Sequence, residues 1–395
     1  MELLRNAELY DPSPKGRSHL LIGGERILWI GTEELELPRS LGVTVRDLEG
    51  SRVIPGLVDG HVHLTGGGGE AGMHSRVPPL QLSRLTAGGV TTAVGLLGTD
   101  DTVRTPAELV ATARGLIAEG LSAYCYTGGY HVPLATVTGS VRQDIVSIDL
   151  ILGVGELAIS DHRSSQPTLD ELLRIAADAH VAGLMTGKAG IVHLHVGDGP
   201  RGLDLIRRAL DDTELPPSVF NPTHVNRRKE LFQEAMALAE RGCVIDITAF
   251  PVEDGEDAWS APEALTRYLE AGLPPARVTV SSDGGGCLPV FDADGRVTSM
   301  DVAHPSAMAE ALKALLACGQ PLERVLPAFT SNAASLLRLP RKGRLGPDSD
   351  ADLLVLDANG GIEDVMARGQ WHVRESCSVI RGVFEQIDAL SPWRA

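Results

Sequence analysis

The chain has 395 residues, 43% hydrophobic and 22% charged, which is the balance of a folded globular protein and not of a disordered or membrane-embedded one. Its formal net charge of −17 argues against nucleic acid or an anionic membrane as a partner, since both are bound through concentrated Lys and Arg and pairs such as Arg227-Arg228 are too sparse to form a stripe. Five dispersed cysteines with no C-x-x-C pair argue against a disulfide framework or a zinc finger.

In chain order, the opening "MELLRNAELYDP" carries Glu2, Arg5 and Glu8 where a secretory signal needs an apolar core, and no apolar run approaches the ~18 residues of a membrane span. A cytoplasmic protein is expected. Residues 1–54 continue in short strand-like pieces such as "HLLIGGERILWIG". Within 55–340, apolar β-like runs alternate with amphipathic helical stretches. The runs are 56–64, 91–98, 122–129, 151–160, 190–197, 219–225, 243–248 and 278–284. Runs that are apolar on both faces predict a parallel sheet covered by helices. Thr168 with Glu171 and Ser260 with Glu263 have capping-box spacing, so helices are predicted to start there. Eight β-α units predict a (β/α)8 barrel. A doubly wound open sheet is the alternative, but the G-x-G-x-x-G turn of its nucleotide-binding version is missing. Residues 341–395 return to strand-like pieces ("GRLGPDSDADLLVLD"), so both termini together predict a small β-sandwich.

A barrel of this kind carries its site at the C-terminal ends of its strands. Collected there are His61 and His63, Glu156, His193 and His195, His224 and Asp283. His61 and His63, at i and i+2 on a strand, share one face, as two ligands of one metal must. A lone H-x-H is weak evidence, but further imidazoles and carboxylates at strand ends point to a divalent metal site, zinc being expected. One of His193 and His195 should face the mouth, and His195, nearer the strand end, is favoured. Glu156 stands inside the apolar run "LILGVGELAIS", where an unpaired carboxylate would cost several kcal/mol or more. It can be compensated by bridging two cations, by an arginine, or by a bulge that turns it to solvent.

These residues in this order resemble the amidohydrolase superfamily, and within it the isoaspartyl (β-aspartyl) dipeptidases. The stretches that carry the likeness are "GLVDGHVHLTGGGGEAG", "VGLLGTD", "TGGYHVP", "VTGSV", "AISDHRS", "PTHVNR" and "SSDG". The resemblance implies a metallo-dependent barrel with two zinc ions, His61, His63 and Asp283 on one and His195 and His224 on the other. It also implies substrate contacts from Glu70, Thr99, Tyr130, Arg163 and Arg227, and a homo-oligomer, an octamer being possible. Two positions depart from the family pattern. Glu156 stands where a carboxylated lysine bridges the metals, so with the shorter side chain either the run 151–160 must come inward, which Gly153 and Gly155 would permit through a bulge, or the metals must shift outward. Lys188 is expected at the opposite end of the barrel and is no substitute. Cys287 stands where the family has a serine near the substrate carboxylate, and a thiol is a weaker donor.

The implied reaction is hydrolysis of a β-aspartyl dipeptide by a metal-activated hydroxide, with Asp283 taking the proton and returning it to the leaving amine. Such a substrate carries one ammonium and two carboxylates, which Glu70, Arg163 and Arg227 match. Tyr130 would donate to the developing oxyanion. The alternatives are another amidohydrolase reaction, such as opening a cyclic amide or deacylating an N-acyl amino acid, and a non-catalytic assembly protein.

Overall fold

The computed structural model describes residues 1–291 and 296–385. All eight anticipated barrel strands are present: β1 (Leu57–Val62), β2 (Val90–Gly95), β3 (Ser122–Thr127), β4 (Ile151–Ile159), β5 (Val192–Val196), β6 (Phe220–Thr223), β7 (Ile245–Thr248) and β8 (Val278–Ser281). β1 to β6 form one parallel sheet and β7 pairs in parallel with β8. β7 lies beside β6, β8 lies beside β1, and a parallel bridge from Val62 to Gly284 joins the ends of the circuit. The strands are buried almost throughout, because helices cover the outside while side chains fill the inside. Tertiary packing, more than propensity, therefore decides their conformation.

The helices begin where their caps predict. Thr168 and Glu171 close a reciprocal capping box on the helix Leu169–Thr186, and Ser260 and Glu263 do so on Ala261–Glu270. Each box satisfies two of the amide donors that a helix start leaves open.

Both ends of the chain build one nine-stranded sheet, joined where Arg52–Pro55 pairs antiparallel with Leu353–Leu356. Leu4, Leu9, Leu20, Val53, Leu353 and Met366 form its own core. A buried ion cluster pins this sheet to the barrel floor: Lys342 Nζ lies 2.6 Å from Asp350 and 2.7 Å from Asp352 and donates to Ser122 Oγ at the start of β3. Removing the cation would take the ion-pair partner from the buried Asp352, while Asp350 keeps Arg26 and Arg341 at 3.2 and 3.3 Å. Lys342→Met is therefore expected to destabilise the fold by about 3–5 kcal/mol, measured as a lower urea midpoint at unchanged slope.

Among the described residues no helix is long and apolar enough to cross a membrane.

Candidate metal centre and active site

The alternation of β1 turns His61 and His63 to the barrel interior, where both imidazoles meet Glu156 of β4. Glu156 Oε1 is 3.3 Å from His63 Nε2, while Oε2 is 3.6 Å from His61 Nε2, 3.2 Å from His195 Nδ1 and 3.5 Å from His224 Nε2. Asp283 Oδ1 completes one side, 3.2 Å from His61 Nε2 and 3.1 Å from His63 Nε2. His224 and Asp283 sit just past their strands in left-handed backbone, with φ of 60° and 55°. Non-glycine residues rarely adopt that conformation unless their surroundings enforce it.

Glu156 reaches this position because β4 bulges. The strand carries one extra residue against β5 between Val154 and Leu157, and one against β3 between Ile151 and Gly153. Neighbouring chains close in on both glycines. A β-carbon on Gly153 would lie 2.5 Å from the Ile191 carbonyl oxygen, and one on Gly155 would lie 3.0 Å from His193 Cβ. The bulge anticipated from these glycines is present.

The outer nitrogens of three ligand candidates are tied down, and for His61 and His195 the partner also makes that nitrogen the donor. Asn221 Nδ2 donates to the Val244 carbonyl at 2.6 Å, so its Oδ1 must accept from His193 Nδ1, also at 2.6 Å. His193 Nε2 is then an acceptor and takes the proton of His61 Nδ1 at 2.8 Å. His61 Nε2 is left facing the carboxylates Glu156 and Asp283; burial opposes charge on the imidazole, but they outweigh it and raise its pKa. His195 Nε2 donates to Asp161 Oδ2 at 2.9 Å, and His224 Nδ1 pairs with Thr248 Oγ1 at 2.8 Å. Such outer partners orient metal-binding imidazoles and raise their basicity. Asn221→Ala is expected to weaken metal binding by about 10–100-fold, read by chelator competition, because His193 loses the partner that fixes its proton.

The residues fit divalent cations. His61 Nε2 and Asp283 Oδ1 are both buried and have no well-formed hydrogen bond among the described residues, although they lie 3.2 Å apart. A cation between them reconciles that contact. Three overlapping triads, His61–His63–Glu156, His61–His224–Asp283 and Glu156–His195–His224, bring one ligand atom each to within 4.8 Å of one another. Imidazole and carboxylate together suit a borderline metal such as zinc. The electrostatics agree. Burial opposes charge on Glu156, but His61 and hydrogen bonds from His195, His224 and His63 outweigh it and hold the carboxyl well below its ordinary range. Burial also opposes charge on His63, yet Asp283 and Glu156 push it up to about 10. Burial pushes His224 down to about 3, which makes it a neutral ligand. The two carboxylates thus demand positive charge that protons or metal ions can supply.

A cavity of about 220 Å³ opens above this centre, lined by Glu70, Thr99, Tyr130, Arg163, Arg227 and Cys287 among others. Glu70 Oε1 accepts from Thr99 Oγ1 at 3.0 Å and lies 3.4 Å from Arg163 Nη1. Its Oε2 is buried with no hydrogen-bond partner among the described residues. Arg227 Nη1 donates to the Val196 carbonyl at 2.9 Å, and its Nε lies 3.6 Å from the exposed Asp198. Tyr130 is buried with its hydroxyl 2.8 Å from His195 Nδ1. Burial and the nearby Glu156 charge keep its pKa well above the ordinary value, so it stays a neutral phenol. Cys287 begins the hairpin Cys287–Phe291 with Val297–Val302. Burial, with the Glu70 charge beside it, pushes its thiol up to about 12.

All twelve residues singled out in the sequence therefore converge on one end of the barrel. His195 rather than His193 reaches the cavity, as favoured, while His193 lies one layer deeper, stacked on Tyr126 with ring centres 5.3 Å apart. Lys188 points its ammonium at the carbonyls of Ile145 and Ile148, at the other end of β4. Sequence reasoning missed Asp161, Asn221 and Thr248 as supports. Their signal was a polar residue in, or just after, an otherwise buried strand, as in "FNPT" and "AISD".

Comparison with known proteins points to one family. A crystal structure of the β-aspartyl dipeptidase of Fervidobacterium islandicum AW-1 in complex with β-Asp-Leu is 40% identical, with 95% of this chain and 98% of that chain covered and a TM-score of 0.89. The imidazolonepropionase of Anaeromyxobacter sp. strain K is 28% identical over 366 residues, which is 85% of this chain and 82% of that protein. The dihydropyrimidinase of Brevibacillus agri NCHU1002 shares the fold at 16% identity, 96% coverage of each chain and a TM-score of 0.66. The model of the amidohydrolase family matches residues 52–372. Fold, barrel-mouth donor set and family match lead to one conclusion: the chain belongs to the amidohydrolase family.

Proposed function

We propose that the protein is a metal-dependent dipeptidase that hydrolyses β-aspartyl dipeptides. The observation that carries this reading is the set of charges at the inner end of the cavity: Glu70, with an unpartnered buried oxygen, and two cations, Arg163 and Arg227, stand around the ligand cluster, while two further acids, Asp198 and Glu256, line it from exposed positions. One ammonium and two carboxylates flank the isopeptide bond of such a substrate. The 40% identical relative was solved with β-Asp-Leu, which supports the same choice.

His61, His63 and Asp283 would hold one divalent ion and His195 and His224 the other, zinc being the expected metal, with Glu156 between them. When bound, the ions supply a water of lowered pKa and polarise the scissile carbonyl. Asp283 accepts the proton of the attacking water on its carboxylate and passes it to the leaving amine. Tyr130 presents its phenolic proton to the carbonyl oxygen as negative charge develops there. Glu70, held by Thr99, binds the substrate ammonium. Arg163 and Arg227 bind its carboxylates, for which the guanidinium fork is suited. Cys287, kept as a neutral thiol, touches the substrate beside Glu70.

The imidazolonepropionase likeness favours a second reading, opening of a cyclic amide. An imidazolone ring bearing a propionate offers no ammonium to Glu70. The test is release of leucine from β-Asp-Leu by zinc-loaded protein, with α-Asp-Leu and an imidazolone substrate run in parallel. Release from the β-linked peptide alone is expected. Turnover of the imidazolone with none of β-Asp-Leu would replace the proposal with the cyclic-amide reading.

A further inference from the structure

Asp161 lies two residues past β4, in no strand or helix, yet its side chain is 3% exposed. Its side-chain hydrogen bonds among the described residues all come from donors, and His162 Nδ1 lies 3.6 Å from Oδ1. Oδ2 accepts from His195 Nε2 at 2.9 Å and from Arg163 Nη2 at 2.7 Å, and Oδ1 accepts from Arg163 Nε at 3.1 Å and from the Arg163 amide at 2.7 Å. Its backbone carbonyl also works locally, taking the Gln166 side chain and the Ser164 hydroxyl. The fork on Arg163 is bidentate, the stronger and more directional form of a carboxylate–guanidinium contact. Arg163 in turn reaches Glu70. A continuous chain of contacts thus runs from Glu156 through His195, Asp161 and Arg163 to Glu70.

We infer that Asp161 is a positioning residue that serves two sites at once: it holds His195 as the Nε2–H tautomer, so that Nδ1 faces the metal centre, and it fixes the Arg163 guanidinium in the cavity wall. This rests on the metal-binding part of the function proposed above. The geometry requires an anion with acceptors on both oxygens. An asparagine with its oxygen in the Oδ2 position would keep the His195 contact, whereas an alanine removes the acceptor from His195 Nε2 together with both halves of the Arg163 fork. Without that acceptor nothing holds the His195 proton on Nε2, and a proton on Nδ1 takes the lone pair from the nitrogen aimed at the metal centre. The guanidinium loses its anchor in the same step.

The test compares Asp161→Ala with Arg163→Lys in the full chain, using zinc as the probe. Zinc affinity is read by chelator competition, and the His195 tautomer by 15N chemical shifts of histidine-labelled, zinc-loaded protein. Asp161→Ala is expected to weaken zinc binding by about 10–100-fold and to raise KM for the peptide. Arg163→Lys, which leaves the Asp161–His195 contact in place, is expected to raise KM with zinc affinity unchanged. Wild-type zinc affinity in a folded Asp161→Ala protein would overturn the inference. Should that variant fail to fold, the wild-type spectrum still decides, because a proton on His195 Nδ1 contradicts the proposed role and a proton on Nε2 supports it. The zinc and tautomer readouts do not depend on which amide is cleaved. Inactivity toward β-Asp-Leu would therefore count against the substrate reading and leave this one intact.

Discussion

Glu156→Ala is expected to abolish turnover and to drop the bound metal from two ions to one or fewer per chain, measured by elemental analysis after gel filtration. The carboxylate touches four imidazoles at 3.2 to 3.6 Å. No other anion lies within reach of both His63 on one side and His195 and His224 on the other, among the triads described. Two divalent ions would then face Asp283 alone in a buried site, where unneutralised charge is costly. The loss should exceed the 10–100-fold in affinity that removal of an outer hydrogen-bond partner brings about. A variant that keeps two ions and near-normal kcat would show that Glu156 is compensated in some other way.

Asp283→Asn carries the second large effect. Oδ1 faces both imidazoles of β1, and His61 and His63 hold the carboxyl far below its ordinary range even though burial favours its neutral form. An amide of the same shape can neither take a proton from water nor return one to an amine. A fall in kcat of about 10²–10⁴-fold is expected, the range that a positioned acid–base group contributes. KM should change little, since Glu70, Arg163 and Arg227 are untouched. A large rise in KM with kcat preserved would reassign Asp283 from proton transfer to substrate binding.

Much of this centre was legible in the sequence because its ligands are polar residues in runs that are otherwise apolar. In "GLVDGHVHL", "HLH" and "GELAI" a buried run breaks for a side chain that can coordinate, and strand periodicity then says which face it shares. The eight strands were legible for the same reason, since a strand buried on both faces leaves a continuous apolar signature. The supports were harder to see. Asn221 and Thr248 are short polar residues of a kind that also occurs in structural roles, and only the register of β6 on β5, which sets Asn221 opposite His193, and the closeness of β7 to the end of β6 show what they hold. Asp161 lies in a loop, where a carboxylate is ordinary; the three-dimensional return of that loop over His195 makes it buried. The left-handed backbone at His224 and Asp283 left only a faint sequence signal, because histidine and aspartate enter that region more readily than most side chains yet seldom do so.

The bulge in β4 bears on how the centre is assembled. A lysine bridge becomes an acid only after it captures carbon dioxide, so its charge depends on an outside reagent and can be lost again. In this chain the extra residue in the strand carries a carboxylate inward that is finished when the polypeptide is made. The protein exchanges reach for permanence: a short, covalently complete ligand set by backbone geometry, and a donor set that folding alone brings together.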